Sequence, residues 1–275
     1  MRKFSFKGKN AILFTLNSEL KTLNAILKTK KMAHKREVGF IGFGSFGKFI
    51  MPYLSPYFNV SVYDKRDVAA ECKALKVYCG TLKEVASKEI VILAVPVQFL
   101  ETVIQEIVPF VQPNALIADV SSVKVKPMQL MEKYFPDTVQ IVGTHPLFGP
   151  QSGKNGIENL NLVLCPVRTS RTEIIRKFFS NILKLNVLER SPEIHDQQMA
   201  YVQALTHFVG RAVNNMDIPD VEQKTPAYQY LLDIKRNLGQ DSMDLFLTIE
   251  NENPYAKDVR QKFMTELERL DKILL

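Results

Sequence analysis

The fold is decided by the stretch Val38-Gly39-Phe40-Ile41-Gly42-Phe43-Gly44-Ser45-Phe46-Gly47. Its first residues are apolar or small and predict a buried strand, and the apolar positions that follow the stretch predict a helix. Between the strand and the helix lies a Gly-x-Gly-x-x-Gly motif, which is typical of dinucleotide-binding turns. Gly42 permits a tight turn, Gly44 lets the backbone approach the phosphates, and Gly47 lets helix and strand pack closely. The N–H groups at the helix N-terminus then face the anion.

An acidic residue strengthens this interpretation, because the glycine spacing alone also occurs in ordinary turns. The second predicted strand, Asn59-Val60-Ser61-Val62-Tyr63, leads into Asp64, which lies 22 residues after Gly42. A carboxylate at about that distance meets the adenosine ribose hydroxyls of a dinucleotide. The predicted cofactor-binding residues are Gly42, Gly44, Ser45, Phe46, Gly47, Asp64 and, at the end of a later strand, Val95.

The composition of the 275 residues, 46% hydrophobic and 24% charged, is that of a globular protein. The net charge of +7 is concentrated at the N-terminus, since residues 1–36 hold ten basic residues and one acidic residue. The remainder has 26 basic and 28 acidic residues, so we expect no nucleic-acid partner. No run of about 18 apolar residues occurs, which predicts no membrane partner. Three scattered cysteines without metal-ligand spacing predict no metal site and a reducing compartment.

Residues 1–37 form a basic extension ahead of the first strand. Leucines spaced three and four apart at positions 13 to 27 allow a short amphipathic helix, and the lysine-rich, acid-poor composition resembles an organelle-targeting segment. A docking helix and a disordered tail are alternatives. We favour translation from a start upstream of the native one, with Met32 as the native beginning, and hence a cytoplasmic protein.

Strand and helix patterns alternate from residue 38 to about residue 168, which predicts a Rossmann-type, doubly wound, mostly parallel sheet in a dinucleotide-binding domain over 38–168. Helical patterns then dominate, including a helix of about 23 residues that starts after Ser191. We therefore predict an all-helical substrate and dimerisation domain over 169–275, and a homodimer that forms through it. Ligands of parallel sheets bind beyond the carboxyl ends of the strands. Chemistry is expected just after Gly42, Asp64, Val95, Asp119 and Gly143.

Two of these strand ends carry reactive side chains. Asp119-Val120-Ser121-Ser122-Val123-Lys124 brings hydroxyls and a lysine, and Gly143-Thr144-His145-Pro146 brings a histidine. The imidazole of His145 can accept a proton from a substrate hydroxyl while hydride leaves for the cofactor. Ser122 can hydrogen-bond both groups. The alternatives are a structural turn histidine and a helix N-cap serine.

Four motifs together resemble the prephenate/arogenate dehydrogenase family. They are Gly-Phe-Gly-Ser-Phe-Gly from residue 42, Asp-Val-Ser-Ser-Val-Lys from 119, Thr-His-Pro-Leu-Phe-Gly-Pro-Gln-Ser-Gly from 144, and His-Asp-Gln-Gln-Met-Ala-Tyr-Val-Gln-Ala-Leu-Thr-His-Phe from 195. The resemblance covers about residues 38–270. It implies a dimeric enzyme of tyrosine biosynthesis that oxidises a ring hydroxyl with NAD or NADP while the ring carboxylate leaves as carbon dioxide.

The resemblance also implies roles for individual residues. His145 corresponds to the catalytic histidine and Ser122 to the serine that bonds the same substrate hydroxyl. His207 corresponds to a histidine that holds the substrate side chain, and Arg236 to an arginine that binds a carboxylate of the dicarboxylate substrate. Their alternatives are a packed core histidine and a solvated helix arginine. Lys124 either attracts the dianion or anchors its loop, Gln151 lies beside the substrate, and His195 is expected to be structural.

Three choices stay open at this point. Asp64 favours NAD, because a carboxylate repels a ribose 2′-phosphate, whereas Lys65 and Arg66 suit NADP. Gln151 is neutral and slightly favours prephenate, while its loop also resembles the arogenate-using branch of the family. More remote hypotheses are a β-hydroxyacid dehydrogenase, which should carry a lysine where this chain has His207, and a non-enzymatic dinucleotide sensor.

Overall fold

The computed structural model describes residues 35–238 and 242–274. The predictions for residues 1–34 therefore lie outside the described part of the chain. The strands are β1 (Glu37–Ile41), β2 (Asn59–Tyr63), β3 (Tyr78–Cys79), β4 (Ile90–Leu93), β5 (Leu116–Asp119), β6 (Gln140–Pro146), β7 (Asn161–Arg168) and β8 (Asn186–Glu189). The α-helices are α1 (Ser45–Leu54), α2 (Ala69–Leu75), α3 (Leu82–Ala86), α4 (Val97–Ile107), α5 (Val125–Tyr134), α6 (Thr172–Lys177), α7 (Pro192–Met199), α8 (Thr206–Asn215), α9 (Pro226–Leu238), α10 (Met243–Glu252) and α11 (Ala256–Leu274).

The eight strands form one sheet in the order β3-β2-β1-β4-β5-β6-β7-β8. Every neighbouring pair is parallel except β6 and β7. Two buried apolar clusters cover the two faces, as expected for a doubly wound sheet. The order reverses between β1 and β4, and ligands of such sheets bind at this switch point. The predicted Rossmann-type fold is confirmed.

The sheet continues beyond the strands that the sequence predicts. β8 pairs in parallel with β7 and lies after residue 168, where the predicted helical domain begins. β8 is four residues long and only partly buried, so its apolar signal is weak. β6 also runs past Gly143 to Pro146, because the antiparallel β7 pairs with its last residues. His145 therefore lies inside a strand and faces Val163 across the ladder.

The C-terminal region is helical, as predicted. Ser191 caps α7, its hydroxyl accepting from the Ile194 N–H at 3.3 Å, and Pro192 occupies the first turn. The predicted long helix is continuous from Pro192 to Asn215, with a π-helical segment at Ala200–Leu205 inside it. Such segments are frequent at functional sites. Among the described residues, no helix has the length and apolar character needed to cross a membrane.

Candidate active site

The glycine turn has the geometry that an anion needs. Gly42 adopts φ +97°, and a Cβ there would lie 2.5 Å from the Ala94 carbonyl oxygen, so this turn requires glycine. Gly44 is the N-cap of α1, and a Cβ on it would meet no atom within 4 Å. No side chain caps α1, and no acidic residue lies in its first turn. The helix N-terminus therefore presents N–H groups to open space, which fits a pyrophosphate.

Asp64, which directly follows β2, lies against this turn. Its Oδ2 accepts a hydrogen bond from the Phe43 N–H at 2.6 Å. Its Oδ1 accepts from the backbone N–H and the Nε of Arg66, each at 2.9 Å. Burial raises the pKa of the Asp64 carboxyl, but the hydrogen bonds from Arg66 and Phe43 outweigh it and lower that pKa to about 2. The carboxylate therefore stays ionised at neutral pH beside a guanidinium whose side chain is 63% exposed.

A second group of side chains surrounds His145. His145 is 4% exposed, and its Nδ1 lies 2.8 Å from Nε2 of His195 on α7. The Nδ1 of His195 lies 2.7 Å from Oδ1 of Asp196. The three side chains thus form a buried chain of hydrogen bonds that connects β6 to α7.

The carboxylate of Asp196 also fixes the start of α5. Its Oδ1 accepts from the Lys124 N–H at 2.8 Å, and its Oδ2 accepts from the Val125 N–H at 2.9 Å. Asn253 donates to the Asp196 carbonyl oxygen at 2.8 Å. Asp196 therefore satisfies N–H groups at the helix N-terminus that would otherwise lack partners, and it joins α7 to α5.

Both buried histidines are held neutral by their surroundings. Burial lowers the pKa of His145 well below its usual value, and the positive charge of Lys124 and any proton added to His195 would lower it further. Burial also lowers the pKa of His195, and this effect exceeds the opposing contribution of the hydrogen bond to Asp196. At neutral pH each ring therefore carries one proton and one nitrogen lone pair.

Lys124 forms a fully buried ion pair. Its Nζ is 2.5 Å from Oδ2 of Asp119, and both side chains are 0% exposed. Thr144 donates to the Asp119 carbonyl oxygen at 2.6 Å. An ammonium with no exposed surface cannot contact a substrate unless the residues around it move. The geometry therefore supports loop anchoring, and not attraction of a dianion, as the role of Lys124.

The other predicted site residues lie on different elements of the structure. Ser122 is half-buried in the bend between β5 and α5; Lys124, not Ser122, is the N-cap of α5. Gln151 lies in the exposed loop between β6 and β7, and His207 is buried on α8. Arg236 lies on α9 with its side chain 71% exposed and is paired with Asp233 on the same helix. Arg236 thus forms an ion pair with Asp233, and no hydrogen bond or ion pair among the described residues connects it to the group of His145, His195 and Asp196.

From the sequence, His195 is expected to be structural, and Asp196 does not stand out as a functional residue. The structure bonds His195 to the ring of His145, which places it next to the candidate catalytic residue. The only sequence feature that could have indicated these two residues is the adjacent His-Asp pair at the start of a long helix. Its importance depends on contacts 50 and 72 residues apart in the chain.

The sequence and the fold of this chain resemble those of known proteins. Residues 56–187 match the family model described as prephenate dehydrogenase, nucleotide-binding domain, and residues 212–275 match one described as TYRAAT1-like, C-terminal domain. Arogenate dehydrogenase 2, chloroplastic, of Arabidopsis thaliana is 30% identical, and the match covers 86% of this chain and 67% of that protein. Arogenate dehydrogenase 1, chloroplastic, of the same plant is 30% identical over 85% of this chain and 38% of its own length.

A probable arogenate/prephenate dehydrogenase of Methanocaldococcus jannaschii is also 30% identical, over 70% of this chain and 45% of that protein. The chain therefore spans less than half the length of two of these relatives. Among solved structures, prephenate dehydrogenase from A. aeolicus in complex with hydroxyphenyl propionate and NAD+ has a TM-score of 0.71 at 20% identity, covering 88% of this chain and 92% of that one. Synechocystis arogenate dehydrogenase has a TM-score of 0.64 at 18% identity, over 86% and 91%. At these identities the two structures show the shared fold.

Proposed function

Because the chain belongs to the prephenate/arogenate dehydrogenase family, we propose that it oxidises and decarboxylates prephenate to 4-hydroxyphenylpyruvate, a step of tyrosine biosynthesis. The observation that carries the proposal is the buried imidazole of His145 near the carboxyl end of β6. That end of the sheet is where ligands of this fold bind. The ring is neutral and engaged at Nδ1, so Nε2 is the atom available to a substrate hydroxyl.

The residues of this chain have three tasks in such a reaction. The α1 N-terminus and Gly44 hold the pyrophosphate, and Asp64 holds the adenosine ribose. When bound, the nicotinamide accepts the hydride from C4 of the ring. His145 accepts the proton of the C4 hydroxyl at Nε2. As the C1 carboxylate leaves as carbon dioxide, its bonding electron pair moves through the ring to the oxygen, which takes a proton back as a phenol. The resemblance assigns the remaining carboxylate to Arg236, whose exposed guanidinium would have to reach the substrate from its pair with Asp233.

Arogenate is a second candidate substrate, favoured by a specific observation. Asp233 lies beside Arg236 as its ion-pair partner. A carboxylate next to a guanidinium can bind an α-amino acid group, because the carboxylate takes the ammonium and the guanidinium takes the acid. Arogenate carries this group, whereas prephenate carries a keto acid. Two relatives named as arogenate dehydrogenases support the same alternative.

NAD is the proposed cofactor, with NADP as the alternative. The ionised Asp64 carboxylate would repel a 2′-phosphate and accept the two ribose hydroxyls. Arg66 now occupies hydrogen-bonding positions on that carboxylate. Its exposed guanidinium can move aside for the hydroxyls or stay to bind a phosphate. The cofactor preference therefore depends on which contact Arg66 keeps.

A single assay tests these proposals. Formation of reduced nicotinamide is followed by absorbance with prephenate or arogenate, each with NAD or NADP. We expect turnover with at least one dienol substrate and faster turnover with NAD and prephenate. If NADH binds but neither substrate is turned over, the protein is a dinucleotide sensor and the enzymatic proposal is wrong. Faster turnover with arogenate would transfer the assignment to the second candidate.

We further propose a homodimer that uses the apolar side of α11. Leu267, Leu270 and Ile273 lie three residues apart on this helix and are 44%, 50% and 67% exposed. Three aligned large apolar side chains on one helix favour burial against a partner. Analytical ultracentrifugation should give twice the monomer mass, and the double substitution Leu267→Glu and Leu270→Glu should give the monomer. A wild-type monomer at all micromolar concentrations would exclude the dimer.

A further inference from the structure

The side chain of Asp196 sets the direction of the hydrogen bonds around His145. Its two oxygens accept backbone N–H groups at the start of α5, so this group acts as an acceptor carboxylate. A carboxylate has no proton to donate to His195. The proton between them therefore belongs to Nδ1 of His195, 2.7 Å away.

The next hydrogen bond follows from the first. A neutral His195 that carries its proton on Nδ1 has a lone pair on Nε2. That lone pair faces Nδ1 of His145 at 2.8 Å, so Nδ1 of His145 must be the donor. Burial lowers the pKa of both rings, so both are neutral at neutral pH. With its proton on Nδ1, His145 has its lone pair on Nε2.

Resting on the proposed function, we propose that His195, oriented by Asp196, is a positioning residue that fixes the tautomer of His145. In this tautomer Nε2 is ready to accept a proton from the substrate hydroxyl. With the opposite tautomer, Nε2 would carry a hydrogen and could not act as a base. His195 does not contact the substrate in this arrangement; it acts through the ring of His145.

The bonding also stabilises the charge that forms in the reaction. When Nε2 of His145 takes the substrate proton, the ring becomes an imidazolium that is hydrogen-bonded to His195. The Nδ1 proton can then shift toward His195, whose other nitrogen faces the Asp196 carboxylate. The positive charge thereby approaches a negative one. No further oxidant, metal or co-reactant is required.

The first test reads the tautomer directly and needs no turnover. The chain contains four histidines, so its 15N-histidine spectrum has few signals, and the substitution His145→Asn identifies the signals of His145. We expect the wild-type ring at neutral pH to show a protonated Nδ1 and an unprotonated Nε2. The opposite pattern would overturn the proposal. Since the spectrum is recorded without substrate, this result stands even if the protein turns over neither prephenate nor arogenate.

The second test separates positioning from general structural support. His195→Ala removes the acceptor, and we expect kcat to fall by about 10²-fold while NADH affinity changes little, together with the loss of thermal stability that truncation of a buried side chain causes. His195→Gln restores an acceptor oxygen and should recover at least about tenfold of that loss. The matched control is Gln197→Ala, an exposed position on the same helix. An unchanged kcat in His195→Ala, or a parallel loss of kcat, NADH affinity and fold in both His195 variants, would refute the role.

Discussion

We expect a substitution in the glycine turn, Gly44→Ala, to weaken cofactor binding while the stability of the fold stays nearly unchanged. Gly44 has φ −72° and ψ −163°, which alanine adopts without strain, and a methyl group there meets no atom within 4 Å. At an N-cap, alanine costs about 0.5–1 kcal/mol relative to glycine. The lower entropy of the unfolded chain offsets about 0.4–1 kcal/mol of that cost. The free energy of unfolding of Gly44→Ala should therefore stay within about 0.5 kcal/mol of wild type.

The same methyl group occupies the space that the pyrophosphate needs. Loss of one charge-assisted hydrogen bond to the α1 N-terminus costs about 1.5–3 kcal/mol. This corresponds to an NADH affinity that is weaker by roughly 10- to 150-fold. Titration of NADH fluorescence measures the affinity, and urea unfolding measures the stability of the same samples.

The matched control is Gly42→Ala in the same turn. Its φ of +97° is unfavourable for alanine, and the Cβ would lie 2.5 Å from a backbone oxygen of Ala94. Strain and overlap together should cost about 2–4 kcal/mol of unfolding free energy. Gly44→Ala should thus lose cofactor and keep its fold, while Gly42→Ala loses stability. If Gly44→Ala bound NADH within threefold of wild type, the open space above Gly44 would not be the phosphate site.

Four further outcomes are expected. His145→Asn should keep NADH affinity and lower kcat by about two or more orders of magnitude; an unchanged kcat removes this residue from the mechanism. Arg236→Gln should mainly raise the substrate KM, and an unaltered KM moves the carboxylate site elsewhere. Arg66→Ala should weaken NADP more than NAD, as measured by the two KM values; an equal effect on both would exclude a contact with the 2′-phosphate. Below pH 6.5 the free energy of unfolding should fall. His145 and His195 bind protons in the unfolded chain at this pH, whereas their buried rings stay neutral in the folded chain. The slope is at most about 1.4 kcal/mol per pH unit for each ring. Urea midpoints at pH 7.5 and 5.5 measure it, and a wild-type slope in His145→Asn would contradict this origin.

Much of the nucleotide-binding region was predictable from local pattern. The glycine turn, Asp64 and the alternation of buried strands with helices each involve residues close in the chain, and their backbone conformations depend on neighbours within a few positions. The cap at Ser191 and the helices after Pro226 were predictable for the same reason. The weak, partly buried β8 carries too few apolar residues to be recognised without β7 beside it.

The sequence by itself determined the class of fold, the glycine turn and the position of His145 near the end of a strand, because these depend on local spacing and residue type. Only the tertiary structure decided what that imidazole is bonded to. His145 and His195 are 50 residues apart, and Asp196 caps a helix whose start is 72 residues before it. Lys124 likewise changed from a candidate substrate contact to a buried partner of Asp119. The burial of a side chain and its hydrogen-bond partners are set when separate helices and strands pack together. The residue spacing within one helix or strand therefore does not predict them.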